Sequence, residues 1–146
     1  MGQWPFEEKD WKNWEAISRR YIEAVSAQDD IVCDSIAREM YGTMVRLEKK
    51  YGEHPWILEH KADFARNRQE KRALYERALE LAVERGHATL TIRIWLADLL
   101  LDKFDDAVAA LRVLTDGQHE VVEQASEMDW IRMYQETFER INGRLN

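Results

Sequence analysis

Apolar side chains recur at three- and four-residue steps through almost the whole chain, and few residues are present that would break the pattern. The stretch EKRALYERALELA, from Glu70 to Ala82, shows this most plainly: Leu74, Tyr75, Ala78, Leu79 and Ala82 share one side of a helical wheel, and charges fill the other. Only 2 Pro and 6 Gly punctuate the 146 residues. Helices with short connections are therefore the economical solution, and strands have few places to begin. A chain of this length buries well over half of the surface its unfolded form exposes, so a single all-α domain over residues 1–146 needs no disulfide or metal staple.

The punctuation predicts about seven helices. Pro5 suits a first helical turn and Glu7–Glu8 suit its positive end, so a first helix is expected to begin there and reach about Gln28. Its bulky stripe is Trp4, Trp11, Trp14, Ile17 or Ser18, Tyr21 and Val25. Asp29 or Asp30 caps a second helix, with Val32, Ile36, Met40, Met44 and Leu47 turned inward and Tyr51–Gly52 at its end. Residues 5–52 thus form a long antiparallel hairpin. Gly42 lies inside it at a cost of roughly 1 kcal/mol against Ala, and marks either a close helix crossing or a slight break. Pro55 opens a third helix that Asn67 or a neighbour ends, and Gly86 stops a fourth near Arg85. A fifth runs from about Ala88 to Leu101 as the most buried element, and a sixth begins with Phe104 and carries Ala107, Val108, Leu111 and Leu114. Beyond Gly117 one last helix, residues 118–143, keeps the beat through Val121, Val122, Ala125, Trp130, Ile131, Tyr134, Phe138 and Ile141.

Lys and Arg number 21 against 28 Asp and Glu, a formal charge of -7. That balance disfavours nucleic acid, whose phosphate backbone demands cationic neutralisation. It suits either plain solubility or steering toward a basic partner. The single Cys33 excludes an intrachain disulfide, fits a reducing compartment, and reads as a small core residue because no His or cation nearby would lower its pKa. MGQWPFEEKDW lacks the basic head and apolar core of a secretory leader, and no run approaches the ~20 apolar residues of a membrane span. A cytoplasmic protein without membrane contact is expected. Glu84 and His87 form a Glu-x-x-His pair, yet Gly86 interrupts the helix that would present them; His54, Glu59 and His60 point to different helix faces. The carboxylate pairs Glu7–Glu8, Asp29–Asp30 and Asp105–Asp106 all fall at helix starts, where the dipole accounts for them. Residues supporting an enzyme, a metal site or a cofactor are not found. Three tryptophans on the first stripe fill a core or leave an apolar patch for a partner.

Two segments bear on architecture: ADFARNRQEKRALYERAL from Ala62, and ADLLLDKFDDAVAALRVL from Ala97. Each leaves one predicted helix by a short polar link and enters another, and a hairpin that cannot bury its own apolar face must lend it to the next. Ala62, Ala97, Ala78 and Ala107 allow close approach, with Tyr75 and Leu111 between layers. In LYERALELA, Leu74 to Ala82, and LADLLLDKFDDAVAAL, Leu96 to Leu111, the chain resembles the tetratricopeptide repeat family, over about residues 54–115 as two degenerate repeats. It departs from that pattern in links about two residues shorter, in Lys61 where a large apolar residue belongs, and in Gly86 instead of a helix-ending Pro.

The resemblance implies antiparallel helical hairpins stacked as a short solenoid. It also implies a non-catalytic surface, lined by the first helix of each hairpin, that holds a peptide or folded partner. Carried over by position, the partner-facing residues are Trp56, Glu59, Asp63 and Arg66 in one repeat and Thr91, Ile94 and Asp98 in the next. Read as residues alone, Trp56 and Ile94 equally suit a core, and Glu59, Asp63 and Asp98 a solvated face. HPWILEHKADF followed by KRALYERALELA is similar to short bacterial tetratricopeptide-type immunity proteins, which implies neutralisation of a basic toxin by direct binding. Two other classes stay open: an assembly subunit that self-associates through its helical faces, and a small-molecule sensor.

Overall fold

The computed structural model describes residues 5–123 and 128–146. Their regular structure is entirely helical: α1 (Glu8–Ser26), α2 (Asp30–Tyr51), α3 (Pro55–Phe64), α4 (Arg68–Arg85), α5 (Leu90–Phe104), α6 (Ala107–Thr115), α7 (Gln118–Glu123) and α8 (Met128–Leu145). The all-α class follows the sequence pattern. Trp4 and Ala125, members of two predicted stripes, lie outside the described residues.

Local chemistry sets most boundaries. The Asp29, Asn67 and Asp106 side chains accept from the backbone N–H groups of Val32, Glu70 and Ala109 at 3.0–3.1 Å, each satisfying a donor that its helix cannot. His54 Nδ1 does the same for Trp56 at 3.1 Å, beside Pro55 at the first position of α3. Gly86 ends α4 in the left-handed region, φ 69°.

Three expectations are corrected. Pro5 does not open α1, which starts at Glu8: Phe6 is buried against the Tyr51, His54 and Trp56 rings, and Glu7 N–H donates to the Tyr51 hydroxyl at 2.9 Å, holding the chain extended. Phe104 closes α5 and does not begin α6, because Arg68 and Arg72 of α4 lie over its ring and Asp105, at φ 49°, turns the chain out of the helix. Gly42 marks neither a break nor a crossing, for α2 runs through it and an added Cβ would meet nothing within 4 Å. The expected helix over 118–143 is helical through Gln118–Glu123 (α7) and Met128–Leu145 (α8), and residues 124–127 lie outside the described residues.

Each helix packs on its successor from α1 to α6, and α8 packs on both α5 and α6. The first helices of the hairpins form a row: Trp14 of α1 meets Trp56 of α3 edge-on, Glu59 of α3 meets Thr91 of α5, and Asp98 of α5 meets Thr137 of α8. In turn α2, α4 and α6 each pack on two consecutive members of that row. The buried side chains form two clusters that meet at α3, where Ile57 belongs with α1 and α2 while Leu58 and Ala62 belong with α4, α5, α6 and α8. Tyr75, Ala78 and Ala97 are buried in the second cluster as the close-approach argument requires, and α5 is its centre. Cys33 packs half-buried beside the first.

Candidate functional site

Helical spacing places Glu59 and Asp63 one turn apart on α3, and Thr91 and Asp98 two turns apart on α5. Packing of α3 beside α5 brings these two stripes together. Thr91 Oγ1 donates to Glu59 Oε1 at 2.8 Å. Tyr75 reaches from α4 and its hydroxyl donates to the Asp63 carboxylate, while Lys71 Nζ donates to the Asp63 backbone carbonyl at 2.9 Å. Farther along α5, Asp98 Oδ1 accepts from Thr137 Oγ1 at 3.0 Å and Arg140 Nη1 at 2.9 Å, and Arg140 also holds Asp102.

Electrostatics distinguishes these carboxyls. Burial pushes Glu59 up to about 7, with the neighbouring Asp63 charge adding to the rise and the Thr91 hydrogen bond opposing it. Burial also raises Asp98, against the lowering exerted by Thr137 and Arg140. Tyr75 is driven well above the usual phenol range by burial and by the negative charges of Asp63, Glu59 and Asp98, of which Asp63 accepts directly from its hydroxyl. Among the described residues, no Lys or Arg lies within ion-pair distance of the Glu59 or Asp63 carboxylate. The arrangement is thus suited to receiving positive charge.

Of the seven residues read from the resemblance, Glu59, Asp63, Thr91 and Asp98 come together on this face. Ile94 does not join them. It shares their stripe by spacing yet is 0% exposed, in the same cluster as Leu58, Ala62 and Tyr134. Trp56 turns toward α1: its ring stacks on His60 with centroids 4.1 Å apart and meets Trp14 edge-on at 5.5 Å. Arg66 lies elsewhere again, paired with Asp34 of α2, and lines an open cleft of about 280 Å³ with Arg38, Tyr41, Phe64, Asn67 and Glu70.

Sequence reasoning missed Thr137 and Arg140 as partners of Asp98, and treated Tyr75 only as a spacer. It missed a buried network too. Arg93 Nε donates to Thr89 Oγ1 at 2.8 Å and its Nη1 to the Val113 carbonyl at 3.0 Å. Glu120 of α7 accepts from the Thr89 N–H at 2.8 Å and from its hydroxyl, capping α5 from outside. A guanidinium in the run TIRIWLADLL was the available signal, since a charge on so apolar a helix is either an exception or paired. The network ties α7 to α5.

No protein-family model matches this sequence, and no curated protein or solved structure matches it. Among the described residues no helix is long and apolar enough to cross a membrane, and no three or more His, Cys, Asp or Glu side chains are grouped so as to hold a metal ion.

Proposed function

We propose that this chain is a non-enzymatic protein-binding module whose α3–α5 face receives a cationic surface of another protein. The observation that carries the reading is the pair Glu59 and Asp63, adjacent on α3, partly desolvated, and without a cation of their own. An incoming ammonium or guanidinium would supply that missing charge in a site already partly stripped of water, where such a pairing contributes to specificity and rate of association. The formal charge of -7 steers a basic partner toward it. A row of first helices joined side by side supports the tetratricopeptide likeness, and with it the narrower reading of an immunity protein that covers the working surface of a basic toxin.

Partner capture from the native host with immobilised protein tests this. Wild type retains a basic protein, and Glu59→Lys and Asp98→Lys lower its affinity at least about tenfold, roughly 1.4 kcal/mol each. Unchanged affinity in both variants, with their thermal melts intact, refutes the face assignment. A second reading, self-association, is favoured by exposed aliphatic residues close to the α1–α2 turn, Ile22, Val25, Val32 and above all Ile31 at 84% exposure. Sedimentation that stays monomeric at high concentration removes it.

A further inference from the structure

The α3–α5 face has a property that does not depend on any partner. We infer that Glu59 is a proton-controlled latch: protonated, it lets α3 close on α5, and its ionisation loosens that junction.

Geometry carries the inference. Glu59 stands in the seam between the two helices, and its hydrogen bond to Thr91 joins them. Asp63 lies one turn away on the same face of α3, so an ionised Glu59 meets a like charge at the spacing where such pairs repel. The surroundings supply little relief. Tyr75 of α4 is committed to Asp63, and Lys71 of α4 to the Asp63 carbonyl, not to either carboxylate. Asp98 of α5 adds another negative charge around Tyr75 and has taken up Arg140 of α8. Lys61, two residues along α3, points away and pairs with Glu48 of α2. The α1 side presents the rings of Trp14 and Tyr21, with His60 between Trp14 and Trp56. A neutral carboxyl suits this half-buried seam, whereas an anion there is less well hydrated than in open solvent. The upward shift of Glu59 to about 7 agrees with that environment and places the transition at neutral pH.

The sign follows from linkage. A carboxyl whose folded value exceeds its unfolded 4.5 contributes stability that is complete below 4.5 and is lost as pH rises through about 7. The test uses the full chain. Carbon-detected NMR follows the Glu59 carboxyl, hydrogen exchange follows the α3 and α5 amides, and denaturation compares wild type with Glu59→Gln, which keeps an acceptor for Thr91 but cannot ionise. Glu59 is expected to titrate near 7, amide exchange at the seam to quicken above that point in wild type only, and the unfolding constants of the two proteins to diverge by up to about tenfold per pH unit between about 5 and 7. Thr91→Val removes a bond that favours the ionised form, so it raises the midpoint further. A wild-type midpoint in the ordinary carboxylate range overturns the latch, even where a variant fails to fold. So does a midpoint lowered by Thr91→Val, or seam exchange that responds to pH equally in Glu59→Gln.

Discussion

Replacing Gly117 with alanine adds one methyl group to a turn between α6 and α7, and the structure gives it a large effect. The new Cβ would sit 2.3 Å from Cδ and 2.7 Å from Nε of Arg93. An ordinary exposed arginine would swing aside. Arg93 is buried, and its guanidinium is fixed by Thr89 Oγ1 at 2.8 Å and the Val113 carbonyl at 3.0 Å. Displacing it forfeits two charge-assisted hydrogen bonds, about 1.5–3 kcal/mol each at most, and leaves Glu120 buried without the nearby positive charge. Together these give a destabilisation of about 3–5 kcal/mol. For a chain of this size that lowers the melting temperature by roughly 10 °C. Guanidinium denaturation followed by tryptophan fluorescence measures it, and a double-mutant cycle with Arg93→Met isolates the cause. Once the guanidinium is gone, the added methyl group has much less to strike, so the double variant should cost well below the sum of the single ones. A loss under about 1 kcal/mol for Gly117→Ala, or fully additive costs, refutes the account.

The same substitution at Gly42 has the opposite sign: mid-helix, with nothing within 4 Å of the added Cβ, Gly42→Ala should stabilise by about 0.5–1 kcal/mol in the same assay, and any loss contradicts it. Burial holds His60 below the usual imidazole value, against the opposing pull of the Asp63 charge and of the hydrogen bond its Nδ1 donates to the Trp56 carbonyl at 2.8 Å, so the folded state favours the neutral ring. Its stability contribution is complete above the ordinary value of 6.5 and is lost as pH falls from there toward the folded value. His60→Phe should therefore flatten the decline in melting temperature on acidification, and an unchanged profile counts against it. Phe6→Ala empties a place among Tyr51, His54 and Trp56 and should cost about 3 kcal/mol by denaturation, whereas a near-neutral result would mean that Phe6 does not anchor the chain ahead of α1.

What could be read from the sequence is what is decided within about one helical turn. Asp29 and Gly86 act on backbone groups only a few residues away, so the sequence by itself determined where α2 begins and where α4 ends. The sequence pattern starts α6 too early, at Phe104, because the α4 arginines that hold that ring in α5 are far off in the chain. The apolar period likewise identified Tyr75, Ala78, Ala97 and Leu100 as inward-facing. Only tertiary structure could set the start of α1, because the group that holds Glu7 is the Tyr51 hydroxyl, 44 residues away. It alone separated Ile94 from Thr91 and Asp98, which occupy the same stripe: spacing names a face, but burial depends on which helices lie across it. The unusual chemistry of Glu59 has the same origin. A carboxyl on an exposed helix is an ordinary acid, and it becomes a poor one when α5 closes over it with Asp63 beside it, since the cost of charge is set by the surrounding medium and by neighbours that a linear spacing does not contain.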